Sequence, residues 1–216
     1  MTNAFNHIGP VPGGLLVAFE GIDGSGKTTQ ARRSVEALTQ AGIPAIFLRE
    51  PTDGPAGTEL RRRMREEPIR DAQLEFELFV TDRKWHLENH IQPALDSGTV
   101  VCIDRYYISS MAYQGALGLD WRMIQAENEK FAPRPELILY FKAGPETTAK
   151  RIATSRSEGA NYFEREAYQK RVAELYGCFD FPEWATVNAD ASLEAVWMEV
   201  AGALSKAIAG KASISP

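Results

Sequence analysis

The sequence predicts an α/β fold in which helices cover both faces of a parallel sheet. Five short apolar runs recur along the chain and alternate with longer stretches of helical pattern. Each run is apolar at consecutive positions, which is typical of strands buried on both faces. Strands that alternate with helices favour a parallel sheet. The 216 residues are 44% hydrophobic and 25% charged, a balance that suits one globular domain.

The predicted elements follow one another without a repeat or a low-complexity linker. The strands are expected at 15–20, 45–48, 99–103, 137–141 and, more weakly, 184–187. The helices are expected at 27–41, 56–66, 72–96, 121–131, 145–154, 163–179 and 193–208. Gly, Pro or charged residues bound each apolar run, and Ser192 is predicted to cap the last helix.

The chain ends and the charge balance limit the domain and its partners. Residues 1–14 and 209–216 are predicted to be flexible, which leaves a single domain over 15–208. The net charge of -5 argues against a polymeric nucleic acid partner, since such proteins carry a basic excess. The sequence has no apolar run of about 18 residues and no signal pattern at its start, so we expect a cytoplasmic protein without membrane contact.

A phosphate-binding loop follows the first predicted strand. Residues 21–28 are Gly-Ile-Asp-Gly-Ser-Gly-Lys-Thr, which fits the pattern G-x-x-x-x-G-K-[ST]. Glycines permit positive φ and bring backbone N–H groups close to phosphates, while the following helix directs its positive end at them. Lys27 is expected to reach the β and γ phosphates of ATP, and Thr28 to ligate Mg²⁺. The predicted ATP contacts are Gly21, Ile22, Asp23, Gly24, Ser25, Gly26, Lys27, Thr28 and Thr29.

A second polar cluster ends the third predicted strand. Asp104 and Arg105 follow an apolar run directly. The carboxyl ends of parallel strands share one edge of the sheet, so both residues should face the phosphate-binding loop. Asp104 is expected to hold Mg²⁺ directly or through water, and Arg105 to clamp a phosphate through two hydrogen bonds. The alternative is a pair that only caps neighbouring backbone groups.

Several segments in this order resemble the thymidylate kinase family. Phe-Glu-Gly-Ile-Asp-Gly-Ser-Gly-Lys-Thr-Thr stands at 19–29, and Arg-Glu-Pro at 49–51. Phe79 and an Asp-Arg pair at 82–83 come next, then Asp-Arg-Tyr at 104–106, two serines at 109–110 and Ala-Tyr-Gln-Gly at 112–115. The resemblance implies a P-loop NTPase-type fold with a five-stranded parallel sheet and a homodimer packed through helices. It also implies transfer of the γ-phosphate of ATP to thymidine monophosphate (dTMP).

The resemblance implies a role for each residue of an acceptor site. Phe79 would stack on thymine, and Arg83 would contact the base and approach the acceptor phosphate. Since the two lie four residues apart on one predicted helix, they can act on one ligand. Phe79 as an ordinary core aromatic remains the alternative.

The other acceptor roles are carried over in the same way. Arg49 and Arg105 would hold the acceptor phosphate, and Asp23 would reach the 3′-hydroxyl. Tyr113 would lie against the sugar and disfavour a 2′-hydroxyl, although simple packing is the alternative. Two further side chains would address the base, Ser110 and Gln114.

The resemblance also implies a mobile lid at about 155–163, which would close over ATP and exclude water. The family takes its charge-neutralising arginine from the loop or the lid, and Gly24 occupies the loop position. Arg156 is therefore the expected catalytic arginine beside Lys27 and Arg105, with Arg151 as the second candidate. Solvated surface arginines are the alternative interpretation.

Two departures from the family pattern bear on specificity. Gly159 and Ala160 stand where the bacterial lid usually carries an Asp-Arg pair, and residues 52–58 replace the usual Gly-Gly-Thr. Two other functions therefore stay open: a kinase of another nucleoside monophosphate, and a P-loop switch protein whose nucleotide state controls a partner.

Overall fold

A computed structural model describes residues 5, 9–66, 71–144, 146–148, 151 and 162–213. Five parallel strands form one sheet in the order β2-β3-β1-β4-β5. Their bounds are β1 Leu15–Glu20, β2 Ala45–Arg49, β3 Val100–Asp104, β4 Leu137–Lys142 and β5 Trp184–Asn188. The predicted α/β fold is confirmed, and each predicted strand is found within one residue of its expected ends.

Eight α-helices can be bounded within the described residues, and 146–148 and 151, inside the helix predicted at 145–154, are helical too. The eight are α1 Lys27–Gln40, α2 Pro55–Glu66, α3 Ala72–His86, α4 Gln92–Asp96, α5 Tyr107–Ala116, α6 Trp121–Glu129, α7 Tyr162–Tyr176 and α8 Leu193–Ala212. The last helix continues four residues past its predicted end, into the segment 209–216 that the sequence predicted to be a flexible tail. α5, which follows Arg105, was absent from the predicted elements.

One π-helical turn interrupts the helix that the sequence predicts over 72–96. The turn covers Leu87–Ile91, and the Gln92 N–H donates to the carbonyl of Leu87, five residues back. Pro93 accounts for this turn. Proline has no N–H, and in a regular helix its ring clashes with the carbonyl four residues earlier. A wider turn directly before it relieves the clash.

The central strand β1 is fully buried and its side chains alternate between two cores. Leu16 and Ala18 pack into a core closed by α3, α5, α6 and α7. Phe19 and its alternate neighbours pack into a second core closed by α1 and α8. Helices therefore cover both faces of the sheet, and burial on both sides explains why the strand is apolar at consecutive positions.

Residues 9–14, which we call the amino-terminal strap, pack along the amino edge of the sheet. The Gly9 N–H donates to the Gly42 carbonyl at 3.0 Å, and the Val11 N–H donates to the Gly98 carbonyl at 2.8 Å. Val11 is fully buried in the second core. The strap is therefore packed on the sheet, in a region that the sequence predicted to be a flexible extension over 1–14.

The opposite, carboxyl edge of the sheet positions the functional residues. Phe19 in β1 and Arg49 in β2 both lie level with Asp104 in β3. Three adjacent strands therefore end side by side, and the loops that follow them converge. In the described part of the chain, no helix combines the length and the apolar character needed to span a membrane.

Candidate active site

The loop from Gly21 to Thr28 has the backbone geometry of a phosphate cradle. Gly21, Gly24 and Gly26 have φ angles of 143°, 78° and 92°. A β-carbon at Gly21 would lie 2.7 Å from the carbonyl oxygen of Phe141, so only glycine fits there. Gly26 begins α1 without a side-chain cap. The first N–H groups of α1 are therefore available to an anion.

Lys27 folds back over this loop. Its ammonium donates to the Ile22 carbonyl at 2.8 Å and to Ser25 Oγ at 3.4 Å, and the side chain is buried. Burial, together with the positive charge of Arg105, lowers the pKa of Lys27 to about 7, against the opposing effect of nearby carboxylates. The negative charge of a bound phosphate would favour the protonated form of this amine and raise its pKa again.

Thr28 and Asp104 form a pair that suits Mg²⁺. The Thr28 hydroxyl donates to Asp104 Oδ2. Asp104 is 3% exposed, and among the described residues its Oδ1 has no hydrogen-bond partner. A hydroxyl and a carboxylate with an unused lone pair are the hard oxygen ligands that Mg²⁺ takes, with phosphate and water completing the shell. Among the described residues, no group of three His, Cys, Asp or Glu side chains is arranged to hold a metal ion.

Arg105 connects the loop to the predicted sugar-binding residues. Its Nη2 donates to Asp23 Oδ1 at 2.6 Å and to the Tyr113 hydroxyl at 3.0 Å. The guanidinium carbon lies 4.7 Å from the centre of the Tyr113 ring. The backbone of Arg105 is left-handed, with φ 71°. The structure thus brings together three residues that the sequence placed around one acceptor.

Arg83 occupies a buried polar network. Its Nε and Nη2 donate to Glu50 Oε2 at 2.9 and 2.6 Å, and its Nη1 donates to Asn128 Oδ1 at 2.6 Å. Nη2 also donates to Ser110 Oγ at 3.2 Å. Sequence reasoning gave no role to Glu50 or Asn128. Glu50 stood in the quoted Arg-Glu-Pro segment, whereas no motif marked Asn128.

The remaining acceptor candidates occupy different environments. Phe79 is half-buried on α3, one turn before Arg83, and Arg49 is exposed at the end of β2. Gln114 is buried, and its amide nitrogen donates to Glu75 Oε2 at 3.2 Å. Among the described residues its Oε1 has no partner. The ligand contacts expected of these three side chains remain predictions.

The loop that departs from the family pattern is fastened to α3. Asp82 is buried and accepts hydrogen bonds from the Thr52 N–H at 2.8 Å and from the Thr52 hydroxyl at 2.5 Å. Gly57 packs so closely that a β-carbon there would lie 2.1 Å from the Thr52 carbonyl oxygen. The altered loop is therefore a defined surface beside the acceptor residues.

Residues 155–161 of the predicted lid, including Arg156, lie outside the described residues, and 162–163 begin α7. The second candidate, Arg151, is described: its Nη2 donates to the Ala189 carbonyl at 3.0 Å. Its Nη1 lies 3.4 Å from the carbonyl oxygens of Gly24 and Ser25. Arg151 therefore bridges the phosphate-binding loop and the loop after β5.

Comparisons of the sequence with known proteins identify its relatives. A family model described as thymidylate kinase matches residues 19–200. A thymidylate kinase of Xanthomonas campestris pv. campestris (strain B100) is 40% identical over 200 residues, which cover 93% of this chain and 87% of that protein. A thymidylate kinase of Desulfotalea psychrophila is 37% identical over 187 residues, which cover 87% of this chain and 92% of that protein. The range matched by the family model contains every site residue described above.

Proposed function

The chain belongs to the thymidylate kinase family, and we infer from this that its site phosphorylates dTMP to the diphosphate with ATP as the donor. The enzyme is a nucleoside monophosphate kinase. The observation that carries this function is the contact between Arg105 and Asp23, whose atoms lie 2.6 Å apart. This contact places Arg105, the arginine proposed for the acceptor phosphate, beside the phosphate-binding loop. The donor and acceptor phosphates would therefore meet next to Arg105.

We propose that Lys27 stabilises the phosphoryl group during an in-line transfer. In the described geometry its ammonium rests on the Ile22 carbonyl, and phosphate oxygens would replace this partner. Phosphoryl transfer needs little covalent chemistry from side chains, so positioning and charge neutralisation account for the catalysis. Thr28 and Asp104 would hold Mg²⁺, which neutralises charge on the β and γ phosphates when bound.

The acceptor roles divide between two arginines. Glu50 neutralises the buried charge of Arg83, whereas Arg105 lies at the loop with 19% of its side chain exposed. We therefore assign the acceptor phosphate to Arg105 together with Arg49, and the thymine base to Arg83 beside Phe79. Tyr113 lies against the Arg105 guanidinium and would pack on the sugar.

We propose that the lid at about 155–163 supplies Arg156 to the transferring phosphate. Arg151 contacts the Ala189 carbonyl. The segment at 188–190 resembles the one that precedes the last helix in the family, and we propose that adenine binds beside it. Arg151 would then act at the donor nucleotide, next to the phosphate-binding loop.

We also propose a homodimer that works in the cytoplasm, where its nucleotide substrates are found. A groove of about 380 Å³ runs between α3 and the end of α6. Its walls combine apolar side chains with charges of both signs, which suits a two-fold interface that must be complementary to itself. The lining residues are Phe76, Glu77, Val80, Thr81, Lys84, Glu127, Lys130 and Phe131.

ADP formation by the purified protein with ATP and Mg²⁺ tests the function. The panel of acceptors is dTMP, dUMP, UMP, dCMP, dGMP and AMP. We expect strong stimulation by dTMP and weaker stimulation by dUMP. Preference for another nucleotide would support the kinase reaction with a different acceptor. The loop at 52–58 would then be the first region to mutate in search of the cause. A rate that no monophosphate raises above background hydrolysis would refute the kinase and favour the switch protein.

A further inference from the structure

Glu20 is a fully buried carboxylate at the end of β1, one residue before the phosphate-binding loop. Its Oε1 accepts a hydrogen bond from the Tyr106 N–H at 2.8 Å. Its Oε2 accepts from the Ser109 hydroxyl at 2.6 Å and from the Tyr176 hydroxyl at 2.8 Å. Three elements, β1, α5 and α7, therefore meet at the Glu20 side chain, which has no role in the proposed reaction.

The Ser109 hydroxyl connects Glu20 to Arg105. Ser109 Oγ also accepts a hydrogen bond from Arg105 Nη1 at 3.1 Å. A serine hydroxyl has one proton and two lone pairs. Because its proton goes to Glu20, a lone pair is turned towards the guanidinium. The carboxylate thereby sets the orientation of the hydroxyl, and the hydroxyl helps to set the orientation of the arginine.

A purely structural anchor would not need this carboxylate. Burial raises the pKa of Glu20, while its hydrogen bonds and the charge of Arg105 lower it. Burying charged groups is costly, and apolar residues of similar volume often stabilise a core at least as well. The placement of a carboxylate here, aimed at the partners of a site arginine, indicates a role in orienting that arginine.

A second contact joins α7 to the same acceptor residues. The Tyr168 hydroxyl donates to the Tyr113 carbonyl at 3.0 Å, and the two rings meet edge to face with centres 6.1 Å apart. Tyr176, one end of the Glu20 cluster, lies two turns further along α7. The helix that follows the predicted lid is thus bound both to Tyr113 and, through Glu20, to the segment that carries Arg105.

We propose that Glu20 is a positioning residue for the acceptor nucleotide: through Ser109 it fixes the guanidinium of Arg105, and through Tyr176 it ties α7 to that arginine. The inference rests on the proposed function, because it assumes that Arg105 holds the acceptor phosphate. It assigns to Glu20 no contact with either substrate.

The substitution Glu20→Gln tests the role with little change of shape. One carboxylate oxygen becomes an NH₂ group that faces donors, so the cluster loses an acceptor. We expect the Kd for dTMP, measured by calorimetry, to rise about tenfold, the effect of losing one well-aligned charge-assisted hydrogen bond. The Kd for ATP with Mg²⁺ should change much less, since the Glu20 side chain donates to and accepts from none of the residues assigned to ATP in the contacts above, and its charge acts on Lys27 more weakly than those of Asp104 and Asp23.

A matched control separates positioning from stability. Glu136 accepts from the Leu16 N–H at 2.8 Å at the other end of β1, far from the acceptor residues. Glu136→Gln should lower the melting temperature without a change in either Kd. If Glu20→Gln leaves the Kd for dTMP unchanged, or weakens dTMP and ATP equally, the positioning role is refuted.

Ser109→Ala provides a second test of the same contact if Glu20→Gln fails to fold. It removes the hydroxyl between carboxylate and guanidinium, so it should reproduce the selective loss of dTMP affinity. In the double variant the two effects should not add, because both act through one contact. Additive effects would overturn the pathway through Ser109. If wild-type enzyme ignores dTMP, the proposed function itself fails, whereas active wild type with an unchanged Glu20→Gln refutes only this inference.

Discussion

At the scale of single residues, Lys27 and Arg105 contribute the positive charges nearest to the phosphate-binding loop in the described site. Replacing either by Ala should lower turnover about 10²- to 10³-fold, because each would stabilise charge that develops in transfer. Steady-state ADP formation with dTMP measures the loss, and circular dichroism checks that the fold survives. Lys206→Ala removes an exposed lysine on α8 and should leave turnover unchanged. Near wild-type turnover of either site variant would contradict its assigned role.

Lys27 also makes stability depend on pH. Its pKa is about 7 in the folded protein and 10.5 as a free side chain, so the unfolded chain binds more protons between these values. The free energy of unfolding of the nucleotide-free enzyme should therefore rise as the pH increases from about 7 to about 9. Urea unfolding of wild type and Lys27→Met at several pH values measures the contribution by difference. An identical pH dependence in both proteins would show that Lys27 is not responsible.

Phe79 gives a third test at this scale. Phe79→Ala should raise the Kd for dTMP about tenfold, because stacking on an aromatic ring contributes about 1–3 kcal/mol. The Kd for ATP should be unchanged, which makes donor binding the internal control. Equal losses for both nucleotides would instead assign Phe79 to the packing of α3.

At the scale of elements, the loop at 52–58 is hydrogen-bonded to α3 through the buried carboxylate of Asp82. Asp82→Asn should lower the free energy of unfolding by about 1–3 kcal/mol, because one of the two Thr52 donors loses its acceptor. It should also change the ratio of activity with dTMP and dUMP if the loop contributes to specificity. Unfolding in urea and the acceptor panel measure the two effects.

Asp71→Asn is the matched control on the same helix. Asp71 caps α3 by accepting from the backbone N–H groups of Gln73 and Leu74. Asparagine caps a helix about as well as aspartate, so this variant should be nearly neutral. A similar loss in both variants would indicate a general weakening of α3 and not a defect of the loop.

The strands and most helices could be predicted because the pattern of apolar residues is a local property of the sequence. Three features escaped it. α5 begins at Tyr107, two residues after Arg105, and its sequence has no clear helical period of apolar residues. The strap is rich in Gly and Pro, yet Val11 finds a buried place that only the folded sheet provides. The π-helical turn depends on how the chain adapts to Pro93.

At the scale of the whole molecule, the groove between α3 and α6 is the proposed dimer interface. Val80→Glu places a charge in its apolar wall and should convert a dimer into a monomer, since unpaired buried charge opposes association. Light scattering after size-exclusion chromatography measures the mass. Ala209→Glu adds the same charge on an exposed part of α8 and should not change it. A wild-type protein that is monomeric, or a Val80→Glu protein that stays dimeric, would contradict the interface.

The proximity of two candidate site residues could be predicted where one short motif contains both. Lys27 and Thr28 belong to one loop, and Asp104 was placed by the rule that parallel strands end at one edge. The buried network around Arg83 was not predictable, because its partners Glu50 and Asn128 are 33 and 45 residues away in the chain. The same holds for Glu20 and Tyr176, which are separated by 156 residues. Such pairs exist only once the helices have packed.

The left-handed backbone of Arg105 bears on how this sequence can change over generations. At φ 71° a residue with a side chain is strained by about 1–3 kcal/mol, whereas glycine is not. Selection for a more robust fold alone would favour glycine at this position. An arginine at this position is what the proposed contact with the acceptor phosphate requires. A descendant with glycine at this position should keep the fold, at lower backbone strain, and lose the proposed contact with the acceptor phosphate.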